Sequence, residues 1–251
     1  METRNLQLWC AYPGDLASEE AEEACADLLS ESERARWQRF CHESNRRESL
    51  TGRALTRVAL SHVRATQPRD WDFSANPHGK PFAVPDCGLR FNLSNTEEIV
   101  VCLVADGAEV GVDAEPYMRA PQLVHMAEEF FSPAEMAQLM GFDGDKKLNL
   151  ALSLWALKKA YIKARGVALS LPLQRISFIF GDLAGVRLEL DPSIEDRASN
   201  WVFGLLDHAG HRIAMVVEQK YPWQLEILEA RPLLASPVTI HTGVLGWFPW
   251  A

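Results

Sequence analysis

This sequence has no long apolar run, no closely spaced cysteine pair and no excess of positive charge, and each absence removes a class of function. No stretch approaches the roughly 20 consecutive apolar residues of a membrane span. The opening METRNLQLWCAYPG is polar and charged, without the apolar centre of a secretion signal. Neither a membrane anchor nor a signal peptide is expected. The five cysteines (Cys10, Cys25, Cys41, Cys87 and Cys102) are far apart and odd in number, so a disulfide framework or zinc knuckle is not expected and the chain reads as cytoplasmic. With 25 Lys and Arg against 34 Asp and Glu, the formal net charge of −9 argues against nucleic acid or an anionic membrane as a partner. Any anion site must then be a local basic cluster within an acidic whole.

What is present is a chain of 251 residues, 47% hydrophobic, long enough for a sizeable core in one domain or in two halves. LQLWCAY reads as a first strand closed by Pro13-Gly14, and Ser18 ahead of EEAEEACADLL and Ser30 with Glu33 mark two helix starts. From Ser44 the sequence reads as one longer helix, with Ala54, Leu55, Val58, Ala59 and His62 on one side and Arg46, Arg53, Arg57 and Arg64 on the other. A charged stripe is more often a solvated face than a site. These four arginines have no acid on their own line, however, and arginine suits bidentate phosphate contact. At 1.5 Å per residue the outer two stand about 27 Å apart, so one small ligand meets only some of them, Arg53 first.

NPHGKPFAVPDCG, dense in Pro and Gly, reads as loop and presents Lys80. LRFNLSN, EIVVCLVA and VGVDAE read as three short strands of one small sheet, the middle one buried. Ser132 and Pro133 open a helix. A later helix carries the core stripe Leu150, Leu154, Leu157 and Tyr161, sets Trp155, Lys159 and Lys163 on another face, and ends at Gly166. From Ser170 to Gln219 the pattern is of strands and turns. His208 and His211 read as turn residues, with no third metal ligand nearby. Phe130, Phe131 and Met126 read more readily as core than as a docking patch, and Trp155 as packing. The last residues, from Ser236, carry no reading.

GVDAEP is the most informative short stretch. Asp113 and Glu115 lie two apart on a strand and leave the same face, where both can reach one hard cation; two carboxylates with water suit Mg²⁺. Alone, D-x-E is a weak signal that a solvated strand edge also produces. Its context is stronger. GVDAEP, FFSPAEMAQL and WALKKAYIKARG, in this order and at these separations, resemble the signature blocks of the Sfp-type 4′-phosphopantetheinyl transferases, and NPHGKP and FNLSNT are similar to two further blocks. The resemblance runs from about Arg34 to Leu173.

The resemblance implies transfer of the 4′-phosphopantetheine arm of coenzyme A to a serine of an apo acyl or peptidyl carrier protein, with release of 3′,5′-ADP. It implies an α+β fold of two similar halves in a pseudo-twofold arrangement, residues 1–116 and 117–251, with the active site at their junction, and a monomer that completes its own site. Carried over by position, Asp113 and Glu115 hold Mg²⁺, Lys163 neutralises phosphate, and Arg53, Lys80, Ser94, Asn95 and Lys158 join Lys163 among the coenzyme A contacts. Asn95 stands where many relatives carry a phosphate-contacting histidine. The sharper departure is Lys159. The family pattern W-x-x-K-E has a glutamate there, as third metal ligand and candidate base, and a protonated lysine is neither. Four outcomes stay open: Lys159 swings outward, water completes the metal shell, the lysine itself neutralises the pyrophosphate, or, last in rank, desolvation and a neighbouring cation leave it a neutral amine. The alternative to a working transferase is a non-catalytic binder of coenzyme A and carrier protein, or an inactivated variant.

Overall fold

The computed structural model of the chain describes residues 2–167, 171–181 and 185–244; Ser170, where the final run of strands was expected to begin, lies outside them. In chain order the first elements are β1 (Arg4–Ala11), α1 (Glu19–Ala26), α2 (Glu31–Trp37), α3 (Glu43–Val63), β2 (Asp72–Ala75), β3 (Pro81–Val84), β4 (Leu89–Asn95), β5 (Val100–Asp106) and β6 (Val110–Pro116). Then come α4 (Ala120–His125), α5 (Ala127–Phe130), α6 (Pro133–Met140), α7 (Gly144–Arg165), β7 (Ile176–Gly181), β8 (Gly185–Leu190), β9 (Trp201–His208), β10 (His211–Glu218), β11 (Trp223–Glu229) and β12 (Val238–Val244). The architecture is mixed α+β. Among the described residues no helix is long and apolar enough to cross a membrane.

These elements gather into two compact units. The first runs to Pro77 and adds Pro81–Ala108 and Tyr221–Val244. Its sheet has the order β12-β11-β1-β5-β4, with β1 parallel to β11 and antiparallel to β5. Helix α3 buries Leu50, Ala54, Leu55, Ala59 and Leu60 in a core shared with Trp9, Phe91, Val100 and Cys102. Two helix starts hold as expected: Ser18 accepts a hydrogen bond from the Ala21 amide, and Ser30 and Glu33 form a full capping box. The arginine stripe does find acids, on other elements. Arg46 pairs with Glu22 at 2.9 Å, Arg64 with Asp106 at 2.8 Å, and Arg53 and Arg57 both with Glu33, at 2.7 and 2.5 Å. The loop expected around Lys80 is partly a hairpin, because Pro81, at a strand start where its missing N–H does no harm, begins β3 against β2.

The second unit comprises, among the described residues, His78–Lys80 and Glu109–Lys220. Its sheet is β6-β10-β9, all antiparallel, and β7 and β8 form a separate hairpin. Helix α7 packs on β6 and β10 with Leu150, Leu154, Leu157 and Tyr161 buried. Phe131 is buried there as well, as the core reading required. The expected sheet of three consecutive strands is corrected: β6 does not join β4 and β5 but pairs with β10 from Val110 to Pro116, while β11 returns to β1. Neither pairing has a local signal.

Gly111 fixes how close α7 comes. A Cβ there would stand 2.0 Å from the Ala160 carbonyl oxygen and 2.4 Å from the Ala164 amide nitrogen, both backbone atoms that no rotamer change can move. Gly111→Ala should therefore destabilise the chain by about 3 kcal/mol or more, as overpacking of a backbone contact. Chemical denaturation checks this, and wild-type stability in the variant would show that the helix stands further from the strand.

Candidate active site

The site is built on the face of β6 that meets α7. Alternate residues of a strand share a face, so Gly111, Asp113 and Glu115 all point to the helix. Residues four apart on a helix also share a line, and four helical residues rise about 6.0 Å while two strand residues rise about 6.6 to 6.8 Å. Two such columns therefore stay matched over three steps. Ala160 and Ala164 meet Gly111, Lys163 and Lys159 meet Asp113, and Lys159 and Trp155 meet Glu115.

The distances are short. Lys163 Nζ donates to Asp113 Oδ1 at 2.7 Å and to the Val112 carbonyl at 3.0 Å. Lys159 Nζ donates to Glu115 Oε1 at 2.7 Å and stands 3.2 Å from Asp113 Oδ1, so its ammonium lies between the two carboxylates. Trp155 Nε1 donates to the same Glu115 oxygen at 2.7 Å, and Arg119 Nη1 donates to Oε2 at 2.8 Å. Arg119 and Lys159 both lie against the Trp155 ring, 5.3 and 5.8 Å from its centroid. The carboxylates are the floor: the Asp113 and Glu115 side chains are 0 and 2% exposed, whereas Lys159 and Lys163 are each 28% and Arg119 38% exposed.

Burial pulls the pKa of Lys159 down, but Asp113 and Glu115 outweigh it and hold the ammonium above the ordinary lysine value. Lys163 goes the other way, because its burial, with Lys159 repelling it, exceeds the attraction of Asp113. The two lysines are thus unequal, with Lys159 the more firmly protonated.

The geometry of the donor set bears directly on Mg²⁺. Two carboxylates from one strand face would suit the ion, but Glu115 already accepts from three donors and an ammonium bridges it to Asp113. A divalent ion bound through both acids would stand within about 4 Å of Lys159, where the repulsion is about 8 kcal/mol at an effective dielectric constant near 20. The residues as arranged do not fit Mg²⁺.

Asp113, Glu115, Lys159 and Lys163, expected at one site, do lie together, whereas Lys158 and Lys80 have other partners. Lys158, expected among the coenzyme A contacts, is wholly buried: it pairs with Glu135 at 2.6 Å and donates to the carbonyls of Leu173 and Ile176 at 2.7 and 2.5 Å. The 100° step of a helix turns it away from its neighbour Lys159. Burial drives Lys158 down and Glu135 up from their ordinary pKa values, against their mutual attraction. Lys80 donates to Glu109 at 2.6 Å, to the Val110 carbonyl at 3.1 Å and to the Ala164 carbonyl at 2.8 Å, so it ties the start of β6 to the C-terminal end of α7, where a cation is favoured. Arg53, Ser94 and Asn95 belong to the first unit. There Arg53 and Asn95, with Glu33, Phe40, Asn45 and Glu48, line a cavity of about 590 Å³, Asn95 donates to Glu48, and Ser94 is buried on β4. Arg119 was missed, since nothing in YMRA marks a turn that folds back on Glu115. Gly111 had a signal, a glycine inside a strand.

Known proteins are similar to this sequence. The family model described as the 4′-phosphopantetheinyl transferase superfamily matches residues 109–216, and that described as 4′-phosphopantetheinyl transferase, N-terminal, matches residues 17–107. A 4′-phosphopantetheinyl transferase of Bacillus subtilis is 30% identical over 187 residues, 74% of this chain and 81% of the relative. The 4′-phosphopantetheinyl transferase Sfp of Bacillus subtilis strain 168 is 30% identical over 189 residues, 75% of this chain and 83% of the relative. Among solved structures, a holo-(acyl-carrier-protein) synthase from Bacillus anthracis in complex with CoA (3′,5′-ADP) overlaps at a TM-score of 0.35 and 19% identity, over 44% of this chain and 94% of that one.

Two outcomes are expected from this geometry. Lys158→Met should lower stability by about 3 to 5 kcal/mol, because Glu135 is left buried without its cation; loss of ligand affinity with unchanged denaturation would return Lys158 to the site. As pH rises, Lys163 should deprotonate below the ordinary lysine value and Lys159 above it, in an NMR titration of the side-chain nitrogens. Because the Lys159 pKa is raised on folding, its contribution to stability is complete below the unfolded lysine value and is lost as pH rises through the folded one. The reverse order of titration would contradict the bridging position of Lys159.

Proposed function

Because the chain belongs to the 4′-phosphopantetheinyl transferase superfamily, we propose that it transfers the 4′-phosphopantetheine arm of coenzyme A to a serine of an apo acyl or peptidyl carrier protein, as a cytoplasmic monomer. The serine oxygen forms a new bond to the phosphorus that carries the arm, the bond from that phosphorus to 3′,5′-ADP breaks with its electron pair going to the departing phosphate, and the serine proton passes to water. What supports the reading above all is the tandem match of the two family models across residues 17–216, joined with the cation cluster of Lys163 and Lys159 in a family block and Arg119 beside them. Departing phosphate needs positive charge beside it, and these groups supply it. Arg53 and Asn95, which line the cavity of the first unit, keep their expected part among the coenzyme A contacts. Lys80 and Lys158 are reassigned to holding the second unit together.

Magnesium enters this reading with a glutamate at position 159 and not with the lysine. Lys159, held protonated by two carboxylates, does not take the serine proton either. That ion pair favours a second reading, a protein that binds coenzyme A and carrier without transfer.

Transfer of a fluorescent arm from labelled coenzyme A to apo acyl carrier protein separates the two. The expected result is modified carrier with this chain, falling about 100-fold or more in Lys163→Ala, and a requirement for Mg²⁺ in Lys159→Glu. Coenzyme A binding with no transfer to any of several carriers, restored by Lys159→Glu, would select the second reading. No binding and no transfer would sink both.

A further inference from the structure

The most exposed parts of the site are its cations, and the acids lie beneath them. A ligand arriving from solvent meets Lys163, Lys159 and Arg119 first, each more than a quarter exposed, while Asp113 and Glu115 are closed off. The ion pairs bring three cations to two carboxylates, with the cations toward the mouth of the site. The three are also held in place. Lys163 is anchored by Asp113 and the Val112 carbonyl, Lys159 by both acids, and Arg119 by Glu115, with the Trp155 ring against Arg119 and Lys159. An ammonium bridging the carboxylates 2.7 and 3.2 Å away occupies the place that the acids would offer to a divalent ion.

We infer that this chain binds the pyrophosphate of its substrate directly through Lys159, Lys163 and Arg119, with no divalent cation, Lys159 holding the metal's position between Asp113 and Glu115. The inference rests on the transferase reading for its substrate, and it departs from the metal dependence that the family pattern implies. Pyrophosphate carries several negative charges over adjacent oxygens, and a fork of guanidinium and two ammoniums matches that spread. The buried acids then act as the counter-charge that fixes the cations before the ligand arrives, so fewer side chains need ordering on binding.

Three measurements on the full chain test this. In a Mn²⁺ titration followed by electron paramagnetic resonance without nucleotide, the wild type is expected to show no stoichiometric site and Lys159→Glu to gain one; a site in the wild type, or none in the variant, overturns the assignment of position 159. In calorimetry with inorganic pyrophosphate and excess EDTA, the wild type is expected to bind, with affinity about 10-fold or more weaker in Lys159→Gln and in Arg119→Gln. Binding that appears only when Mg²⁺ replaces EDTA, or that both glutamine variants retain, overturns the inference. Failure here stays distinct from failure of the transferase reading. A wild type that binds pyrophosphate in EDTA yet modifies no carrier leaves the inference standing and ends that reading, whereas one that modifies carriers only with Mg²⁺ does the opposite.

Discussion

Helix α7 reaches the carboxylates of β6 because Gly111 has no side chain. At that point the two backbones are in contact, with Ala160 and Ala164 as the facing residues, and the rest of the pairing follows from the shared step of helix and strand. Two further devices hold the register. Lys80 bonds the start of β6 to the last turn of α7, and at the far end Arg212, opposite Glu115 on β10, donates to Ser153 of the helix. A contact, a tie and a cross-link thus set the ammoniums against the acids before any ligand is present. Such clamping is what a site needs if its groups are to stand within a fraction of an ångström of their working positions.

The electrostatics of α7 turn on the same geometry. Lys158 and Lys159 are adjacent in sequence and chemically identical, yet one is sealed in the core against Glu135 and the other opens to solvent above Glu115. A buried ion pair gives little net stability, but losing either partner is costly. Lys158 is therefore best understood as part of the support for the β7 end of α7, since the carbonyl of Ile176 and the amide of Phe178 bond to the same pair. Lys159 has a different balance. Its partial exposure leaves the ammonium able to face a second anion while the floor of acids holds its position.

Much of the fold was legible where the signal is local. Ser18, Ser30 and Ser132 cap helices as their spacing foretells, Gly166 ends α7 in a left-handed turn at φ 62°, and the period of Leu150, Leu154 and Leu157 marks the buried side of that helix. Long-range pairing was not legible. VGVDAE reads as a continuation of the sheet before it, and only the partner strand about 100 residues later shows that it belongs elsewhere. The arginine stripe was legible only in part for a related reason: helix periodicity shows which residues share a line but not which acids from α1, α2 or β5 come to meet them. The carboxylate pair was readable because strand alternation is local. The bridging of both acids by Lys159 needed the distance between strand and helix, which no spacing within either element contains.

Position 159 separates two demands that a glutamate there would join. Holding a polyphosphate calls for positive charge, and exchanging a carboxylate for an ammonium adds about two units of it beside the acids. Removing the proton of an attacking hydroxyl calls for a base, and a lysine that two carboxylates keep protonated is not one. On the proposed reading, the lysine strengthens ground-state binding of an anion and withdraws a proton acceptor from the same place. Since only interactions that grow toward the transition state accelerate a reaction, added charge that holds substrate and transition state equally raises affinity more than rate. On the transferase reading, turnover calls on Lys163, whose pKa is depressed and whose charge lies beside Asp113, to meet the departing phosphate, and on a proton acceptor other than residue 159.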